Sequence, residues 1–203
     1  MNNKRNKTIT AMDLYLSNQF HDPLLSLILN DFHHEFNTLA LQHHDQNSKI
    51  RQHTFLKIYP AVSLYHSLQY NGIPRSEAWD IVADYFYSTA QDYADSMKKM
   101  LTIPGLYKLM PLMWKIVTRS QFGTKAGFLY YFYNVGNRRV KFDMTQCTYC
   151  KYFKEEGCPE LISIFCHMDD IQNEDLHPKL LWNRTKTMGN GDELCDFDLI
   201  VKD

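Results

Sequence analysis

The sequence predicts an α+β fold, with a helical N-terminal half followed by a mostly antiparallel sheet that ends in a C-terminal hairpin. Apolar side chains recur at spacings of three and four through residues 23–101, which is the period of an amphipathic helix. After Gly123 apolar and polar side chains alternate instead, which is the period of a half-buried strand. Helices that precede strands, rather than alternate with them, favour α+β over α/β.

The helical half is predicted to follow a loose tail at residues 1–10. Asp22 and Pro23 are suitable as the N-cap and first turn of the first helix. Pro60 lies inside the second helical pattern, where its ring and missing amide proton should kink or split the helix. Pro104 and Gly105 separate the third helix from the fourth. The predicted helices span residues 23–44, 48–70, 76–101 and 106–119.

The second half is predicted to carry the strands. Residues 127–134 are rich in aromatic side chains, and in residues 138–145 apolar side chains alternate with charged ones. Cysteine-bearing loops should follow, and then a short helix that starts at Pro159. The chain should end in a hairpin of strands 180–188 and 194–201 around a turn at Gly189–Asp192. In its last strand Cys195, Phe197, Leu199 and Val201 should share one face.

Length and composition favour one globular domain, residues 1–203, with a helical part at 1–122 and a strand-rich part at 123–203. The chain has 203 residues, 44% of them hydrophobic, which is enough for a sizeable core. Its formal net charge of -1 excludes a strongly basic nucleic-acid binder. Neither a secretory signal nor a transmembrane run is recognisable. Five cysteines in such a chain indicate reduced thiols and a cytoplasmic location.

The charge is unevenly distributed along the chain. Residues 96–142 contain nine Lys or Arg and no Asp or Glu, whereas residues 143–203 contain thirteen acidic residues and six basic ones. This asymmetry is compatible with an anion-binding face, but pairing of the two segments across the fold is favoured. Residues 106–117 combine Met, Trp and Lys, and a core helix with lysines extended to solvent is favoured over a membrane-surface helix. We expect no stable membrane insertion.

A cysteine cluster has the spacing C-x2-C-x7-C-x7-C. Four thiols within twenty residues are candidate ligands of zinc or of an iron–sulfur cluster. The spacing matches neither the usual ferredoxin runs nor a zinc finger, and small buried thiols are the favoured interpretation. We therefore expect no metal and no cofactor, and we keep a non-catalytic ligand- or metal-binding module as the alternative function. The cluster consists of Cys147, Cys150, Cys158 and Cys166.

The densest set of reactive side chains lies between Cys166 and Asp196. A cysteine beside a carboxylate or histidine is suited to nucleophilic or acid catalysis. An arginine such as Arg184 can hold a substrate carboxylate through two parallel hydrogen bonds, and an aspartate is a common general base. A purely structural Arg184–Asp196 pair across the hairpin, with Cys195 buried beside Phe197, is the simpler interpretation of these residues alone.

Two stretches resemble the L-2-amino-thiazoline-4-carboxylic acid hydrolase family. Residues 150–169 read CKYFKEEGCPELISIFCHMD and resemble the family's cysteine loop, Pro-Glu-Leu and Phe-Cys-x-x-Asp pattern. Residues 182–197 read WNRTKTMGNGDELCDF and resemble its Arg-Thr-x-Thr, Gly-rich turn and Cys-Asp-Phe ending. The resemblance extends over about 140 residues in arrangement, of which about 50 carry specific motifs.

The resemblance implies a hydrolase that opens 2-amino-thiazoline-4-carboxylate to N-carbamoyl-cysteine. Such a reaction needs a base for water, an acid for the leaving thiolate and a cation for the substrate carboxylate. By resemblance we expect Asp169 to activate water, Cys166 to act as nucleophile or proton donor, and Arg184 to bind the carboxylate with Asp196 orienting it. The expected partner is a small-molecule substrate and not a nucleic acid, and the aromatic content is compatible with a homodimer. The implied catalytic residues are Cys166, Asp169 and Cys195, and the implied substrate-binding residues are Arg184, Thr187 and Asp196.

Overall fold

The computed structural model describes residues 7–203, so the first six residues of the predicted tail lie outside the described residues. The chain divides into two compact units. The first unit comprises Met1–Tyr85 and Tyr152–Leu161, and the second comprises Phe86–Lys151 and Ile162–Asp203. The predicted α+β class is confirmed, with helices first and a four-stranded antiparallel sheet after them. The single domain expected for residues 1–203 stays a prediction.

The first unit is built from helices whose apolar faces meet in a common core. Its helices are α1 (Lys7–Gln19), α2 (Leu24–Gln42), α3 (Ser48–His53), α4 (Tyr59–Tyr70) and the beginning of α5 (Arg75–Leu101). Helix α2 packs along α4. Met12 and Leu16 of α1, Phe32 of α2 and Leu64 of α4 are buried completely, as the helical spacing of apolar residues in the sequence requires.

The second predicted helix is split just before Pro60, as expected. The chain runs from α3 through a wide π-helical turn at Thr54–Ile58 into α4, where Pro60 occupies the first turn. The Tyr59 amide donates to the Thr54 carbonyl oxygen, which is the five-residue spacing of a π turn. The π turn therefore adjusts the hydrogen bonding immediately ahead of the proline.

The second unit is a four-stranded antiparallel sheet with helices. The elements after α5 are α6 (Met110–Gln121), β1 (Leu129–Phe132), β2 (Arg139–Gln146), α7 (Thr148–Glu155), α8 (Ile162–Asn173), β3 (Leu180–Trp182) and β4 (Cys195–Val201). The strand order is β1-β2-β4-β3, so β1 and β3 form the two edges of the sheet. Helix α6 packs on β2 and β4 and follows a short 3-10 turn at Leu106–Leu109.

Aromatic rings form the centre of the sheet's buried face. Phe142 of β2 lies opposite Phe197 of β4, and the two rings stack with centroids 4.7 Å apart. Trp114 of α6 contacts both rings, with centroids 6.1 and 6.2 Å away. The face predicted for the last strand is confirmed, because its four apolar side chains are all buried: Cys195, Phe197, Leu199 and Val201.

Three sequence predictions are wrong in their extent. Residues 7–10 belong to α1, not to a tail, because Ile9 packs in the core together with the apolar residues one turn later. The segment after β2, predicted as a cysteine-bearing loop, instead forms helix α7. Strand β3 covers only Leu180–Trp182 of the predicted 180–188, because Asp196 takes the backbone amides of the following segment in place of a regular ladder.

Among residues 7–203, no helix combines the length and the apolar character needed to cross a membrane.

Replacing Phe142 by Ala should lower the free energy of unfolding by about 3–5 kcal/mol, because the change removes a fully buried ring and leaves a cavity. Chemical denaturation followed by circular dichroism measures this loss. Leu129→Ala is the control, since that side chain is exposed on edge strand β1 and its removal should change stability by less than about 0.5 kcal/mol. Similar losses in both variants would show that the stacked rings are not the centre of this core.

Candidate functional site

Arg184 is the centre of the predicted site in the second unit. Its side chain is only 1% exposed. Its Nη2 donates to the Asp170 carboxylate at 2.6 Å and to the Cys166 backbone carbonyl, and its Nη1 donates to Asp169 at 3.2 Å. The guanidinium also lies over the Phe197 ring, 5.5 Å from the centroid. The structure thus brings Arg184, Asp169 and the Cys166 backbone together.

The partners of Arg184 differ from those expected in one respect. Asp196, which we expected to orient Arg184, instead accepts hydrogen bonds from the Thr185 hydroxyl at 2.7 Å and from the Thr185 and Lys186 amides. Partial burial acts to raise the pKa of Asp196, but these hydrogen bonds outweigh it and hold the pKa below its usual value. Asp196 therefore fixes the segment that carries Arg184, while α8 supplies the carboxylates for the guanidinium.

Arg184 can reach a substrate carboxylate only if existing contacts are broken. Burial acts to lower its pKa, and the charges of Asp169 and Asp170 outweigh that effect and raise it, so the guanidinium stays charged. Because the side chain is closed to solvent and already has two carboxylate partners, a third would have to displace one of them. The contacts describe an internal cation that holds α8 to the segment after β3.

Two thiols are held by consecutive backbone amides of the turn before β4. The Met188 amide donates to Cys195 Sγ at 3.3 Å, and the Gly189 amide donates to the Cys166 thiol. A larger residue at position 189 would crowd Cys166, because a Cβ there would lie 2.7 Å from Cys166 Sγ. Burial is the main cause that raises the pKa of Cys166 to about 11 and that of Cys195 to about 12. Both thiols are therefore protonated at neutral pH, a state suited to proton donation rather than to spontaneous nucleophilic attack.

Thr187 stabilises the same turn. Its hydroxyl accepts from the Asn190 amide at 3.2 Å, and its own amide donates to the Asp192 carboxylate at 2.8 Å. These contacts cap the 3-10 turn at Met188–Asn190. Binding and catalytic roles for the six predicted site residues stay predictions, whereas their hydrogen bonds and ion pairs give them structural roles in the second unit.

The four cysteines of the spacing pattern are divided between the two units. Cys158 belongs to the first unit, whereas Cys147, Cys150 and Cys166 belong to the second. Hydrogen bonding with Cys150, followed by burial, raises the pKa of Cys147 well above its usual value. Within residues 7–203, no group of three or more His, Cys, Asp or Glu side chains is arranged to hold a metal ion.

Cys158 has partners that the sequence pattern did not predict. In the first unit its Sγ lies 3.1 Å from His66 Nε2, and His66 Nδ1 lies 3.1 Å from Glu35 Oε1. Cys158 is 92 residues from His66 along the chain, and His66 is 31 residues from Glu35. No local motif spans such separations, so the only sequence signal was the position of Cys158 in the cysteine loop.

Replacing Arg184 by Leu should lower the free energy of unfolding by about 3 kcal/mol or more, because two carboxylates lose their buried cation. Arg138→Leu is the matched control, since its pair with Asp203 lies in solvent and should contribute less than about 1 kcal/mol. Thermal and urea unfolding of the two variants measure the difference. Equal, small losses would contradict the internal role of Arg184.

Comparison with known proteins bears on the resemblance directly. The family model for L-2-amino-thiazoline-4-carboxylic acid hydrolase matches residues 51–199. No curated protein and no solved structure matches the chain. The matched region includes both motif stretches, residues 150–169 and 182–197, as well as His66 and Cys158. Since it covers well over half of the sequence, the chain belongs to the L-2-amino-thiazoline-4-carboxylic acid hydrolase family.

Proposed function

We propose that this protein hydrolyses a small cyclic substrate of the 2-amino-thiazoline-4-carboxylate kind and releases N-carbamoyl-cysteine. The observation that carries the proposal is the family match over residues 51–199, which includes every reactive side chain predicted for the site. The product is a cysteine derivative, so the proposal places the protein in cysteine metabolism. The coarse class, a hydrolase of this family, is what the match establishes.

The chemistry of this substrate defines what a site must supply. The ring carbon that is attacked is bonded to sulfur and to two nitrogens, so it is an amidine-like electrophile. Oxygen from water must be added to that carbon, the carbon–sulfur bond must break, and the leaving sulfur must gain a proton. A nucleophile, a proton acceptor that becomes a proton donor, and a means of binding the carboxylate are therefore required.

Two groups of side chains offer such functions, one in each unit. In the second unit Cys166 holds a proton at neutral pH, and the side chain of Asp169 is 39% exposed and can take a proton from water. In the first unit Cys158, His66 and Glu35 form a chain of thiol, imidazole and carboxylate. Both groups contain the residue types that the proposed hydrolysis needs.

The purified protein should release one free thiol for each molecule of 2-amino-thiazoline-4-carboxylate consumed. Thiazolidine-4-carboxylate is the matched control compound, because its ring lacks the amidine-like carbon and should not be opened. Thiol release is followed with a colorimetric thiol reagent, and N-carbamoyl-cysteine is identified by mass. Folded protein that releases no thiol would contradict the proposed substrate and favour a different cyclic substrate or a ligand-binding role.

A further inference from the structure

Cys158, His66 and Glu35 form a hydrogen-bonded chain within the first unit. Glu35 comes from α2, His66 from α4 and Cys158 from the residue that precedes the 3-10 turn at Pro159–Leu161. The distance from Sγ to Nε2 is 3.1 Å, and the distance from Nδ1 to Oε1 is also 3.1 Å. Nucleophile, base and orienting carboxylate in this order are the arrangement that activates a thiol or hydroxyl in many hydrolases.

The carboxylate determines which ring nitrogen faces the thiol as an acceptor. An ionised glutamate can only accept, so the contact with Glu35 requires the proton of a neutral imidazole to be on Nδ1. Nε2 then presents its lone pair to Cys158 Sγ. The sulfur has a second neighbour, the Glu156 carbonyl oxygen at 3.4 Å, but the contact with Nε2 is the shorter one. His66 is thus placed to accept the thiol proton.

The electrostatic surroundings explain why the thiol needs such a partner. Burial is the largest cause that raises the pKa of Cys158 to about 12, and the negative charges of Glu160, Glu156 and Glu35 add to it. The charge of Arg75 acts in the opposite direction and is the smaller influence. The thiol is therefore neutral at rest, and attack requires its proton to be transferred at the same time.

A buried cysteine that only fills the core is the simpler alternative, and the imidazole and carboxylate argue against it. Cys158 is 1% exposed, but the side chains of His66 and Glu35 are 25% and 23% exposed, so the chain leads from the interior to the surface. A thiol that only packs against apolar neighbours does not need an imidazole already oriented by a carboxylate. A substrate must displace part of the cover over Sγ, and the exposed Tyr70 ring lies beside His66.

We propose that Cys158 is the nucleophile, His66 the general base and Glu35 the positioning residue of the hydrolysis. This inference rests on the proposed function for its substrate. It assigns the chemistry to the first unit, outside the six site residues that the family resemblance implied.

The reaction proceeds in two balanced stages. His66 takes the thiol proton while Cys158 sulfur bonds to the ring carbon, and that proton passes to the ring nitrogen. The bond from this carbon to the ring sulfur then breaks and the carbon–nitrogen double bond re-forms. The neutral imidazole takes one proton from the adduct nitrogen and passes it to the leaving thiolate. The result is an S-linked isothiourea on Cys158 that carries the opened cysteine chain.

Water completes the second stage. His66 takes a proton from water while the water oxygen bonds to the isothiourea carbon, and this proton then passes to the imine nitrogen. The carbon–sulfur bond to Cys158 breaks as the carbonyl forms, and the hydroxyl proton returns to the thiolate through the imidazole. The sum is one water consumed and one N-carbamoyl-cysteine released, with no oxidation or reduction.

The variants Cys158→Ala and Cys158→Ser should lower kcat for thiol release from 2-amino-thiazoline-4-carboxylate by about 10³-fold or more. His66→Gln should lower it by about 10²-fold or more, since general-base catalysis contributes that much. Glu35→Gln should lower kcat and leave KM unchanged, because the carboxylate orients the base without touching the substrate. Cys147→Ala is the matched cysteine control and should keep wild-type rates. Far-ultraviolet circular dichroism and melting temperatures identify variants that do not fold.

A folded Cys158→Ala or Cys158→Ser protein with wild-type kcat would overturn the assignment. The assignment would also fail if Cys166→Ala abolished activity while Cys158→Ala retained it, because the nucleophile would then lie in the second unit.

A second experiment does not depend on the substrate. Cys158 and Cys195 are both buried thiols whose pKa burial raises to about 12, but Cys158 has the imidazole beside it. Iodoacetamide should label Cys158 faster than Cys195 in the wild-type protein, and His66→Gln should remove that difference. Peptide mapping by mass spectrometry measures both rates in the same sample.

The two experiments separate the failure of the substrate from the failure of the nucleophile. Inactive wild-type protein with fast, His66-dependent labelling of Cys158 would contradict the proposed substrate and support activation of the Cys158 thiol. Labelling of Cys158 no faster than that of Cys195 would overturn the inference, whatever the activity of the wild-type protein.

Discussion

The buried guanidinium of Arg184 is the interaction on which the second unit depends. A charge removed from water is costly unless strong acceptors surround it, and here two carboxylates of α8 and the Cys166 carbonyl fulfil that role. These contacts attach α8 to the segment after β3, and that segment is in turn held by Asp196. The turn that follows can then direct the Met188 amide at the Cys195 thiol and the Gly189 amide at the Cys166 thiol. The residues that looked most reactive in the sequence are thus the ones that build this part of the fold.

Burial also determines what kind of partner Cys158 has in the first unit. Cys158 is as closed to solvent as the side chain of Arg184, but its nearest polar partner is an imidazole rather than a set of carboxylates. An imidazole can both accept and return a proton near neutral pH, whereas a buried carboxylate–guanidinium network has no such freedom. Glu35 then fixes the ring orientation from the other side. The first unit therefore combines an interior nucleophile with a proton carrier that reaches the surface.

Periodicity was sufficient to predict most elements, because long amphipathic helices and alternating strands each bury one face. It missed α1, although Ile9, Met12 and Leu16 have helical spacing, because the polar and charged residues around them resemble a tail. The cysteines at and before α7 suggest a metal-binding loop, although buried Tyr149, Tyr152 and Phe153 have the spacing of a helix. The family resemblance identified the class of protein, and its motifs pointed to the second unit. Contacts between residues dozens of positions apart, such as those joining Glu35, His66 and Cys158, leave no pattern in a single sequence.

Hydrolysis through a covalent bond to Cys158 passes through an enzyme-bound adduct, which rapid acid quenching during turnover should trap. Protein mixed with excess 2-amino-thiazoline-4-carboxylate, quenched within the first turnovers and digested, would be mapped by mass spectrometry. Covalent catalysis at Cys158 predicts an added mass of one substrate molecule on the peptide that contains this residue. The same added mass on the Cys166 peptide would contradict covalent catalysis at Cys158. So would steady turnover that incorporates oxygen-18 from water into the product while no peptide carries the mass of a substrate molecule at any time.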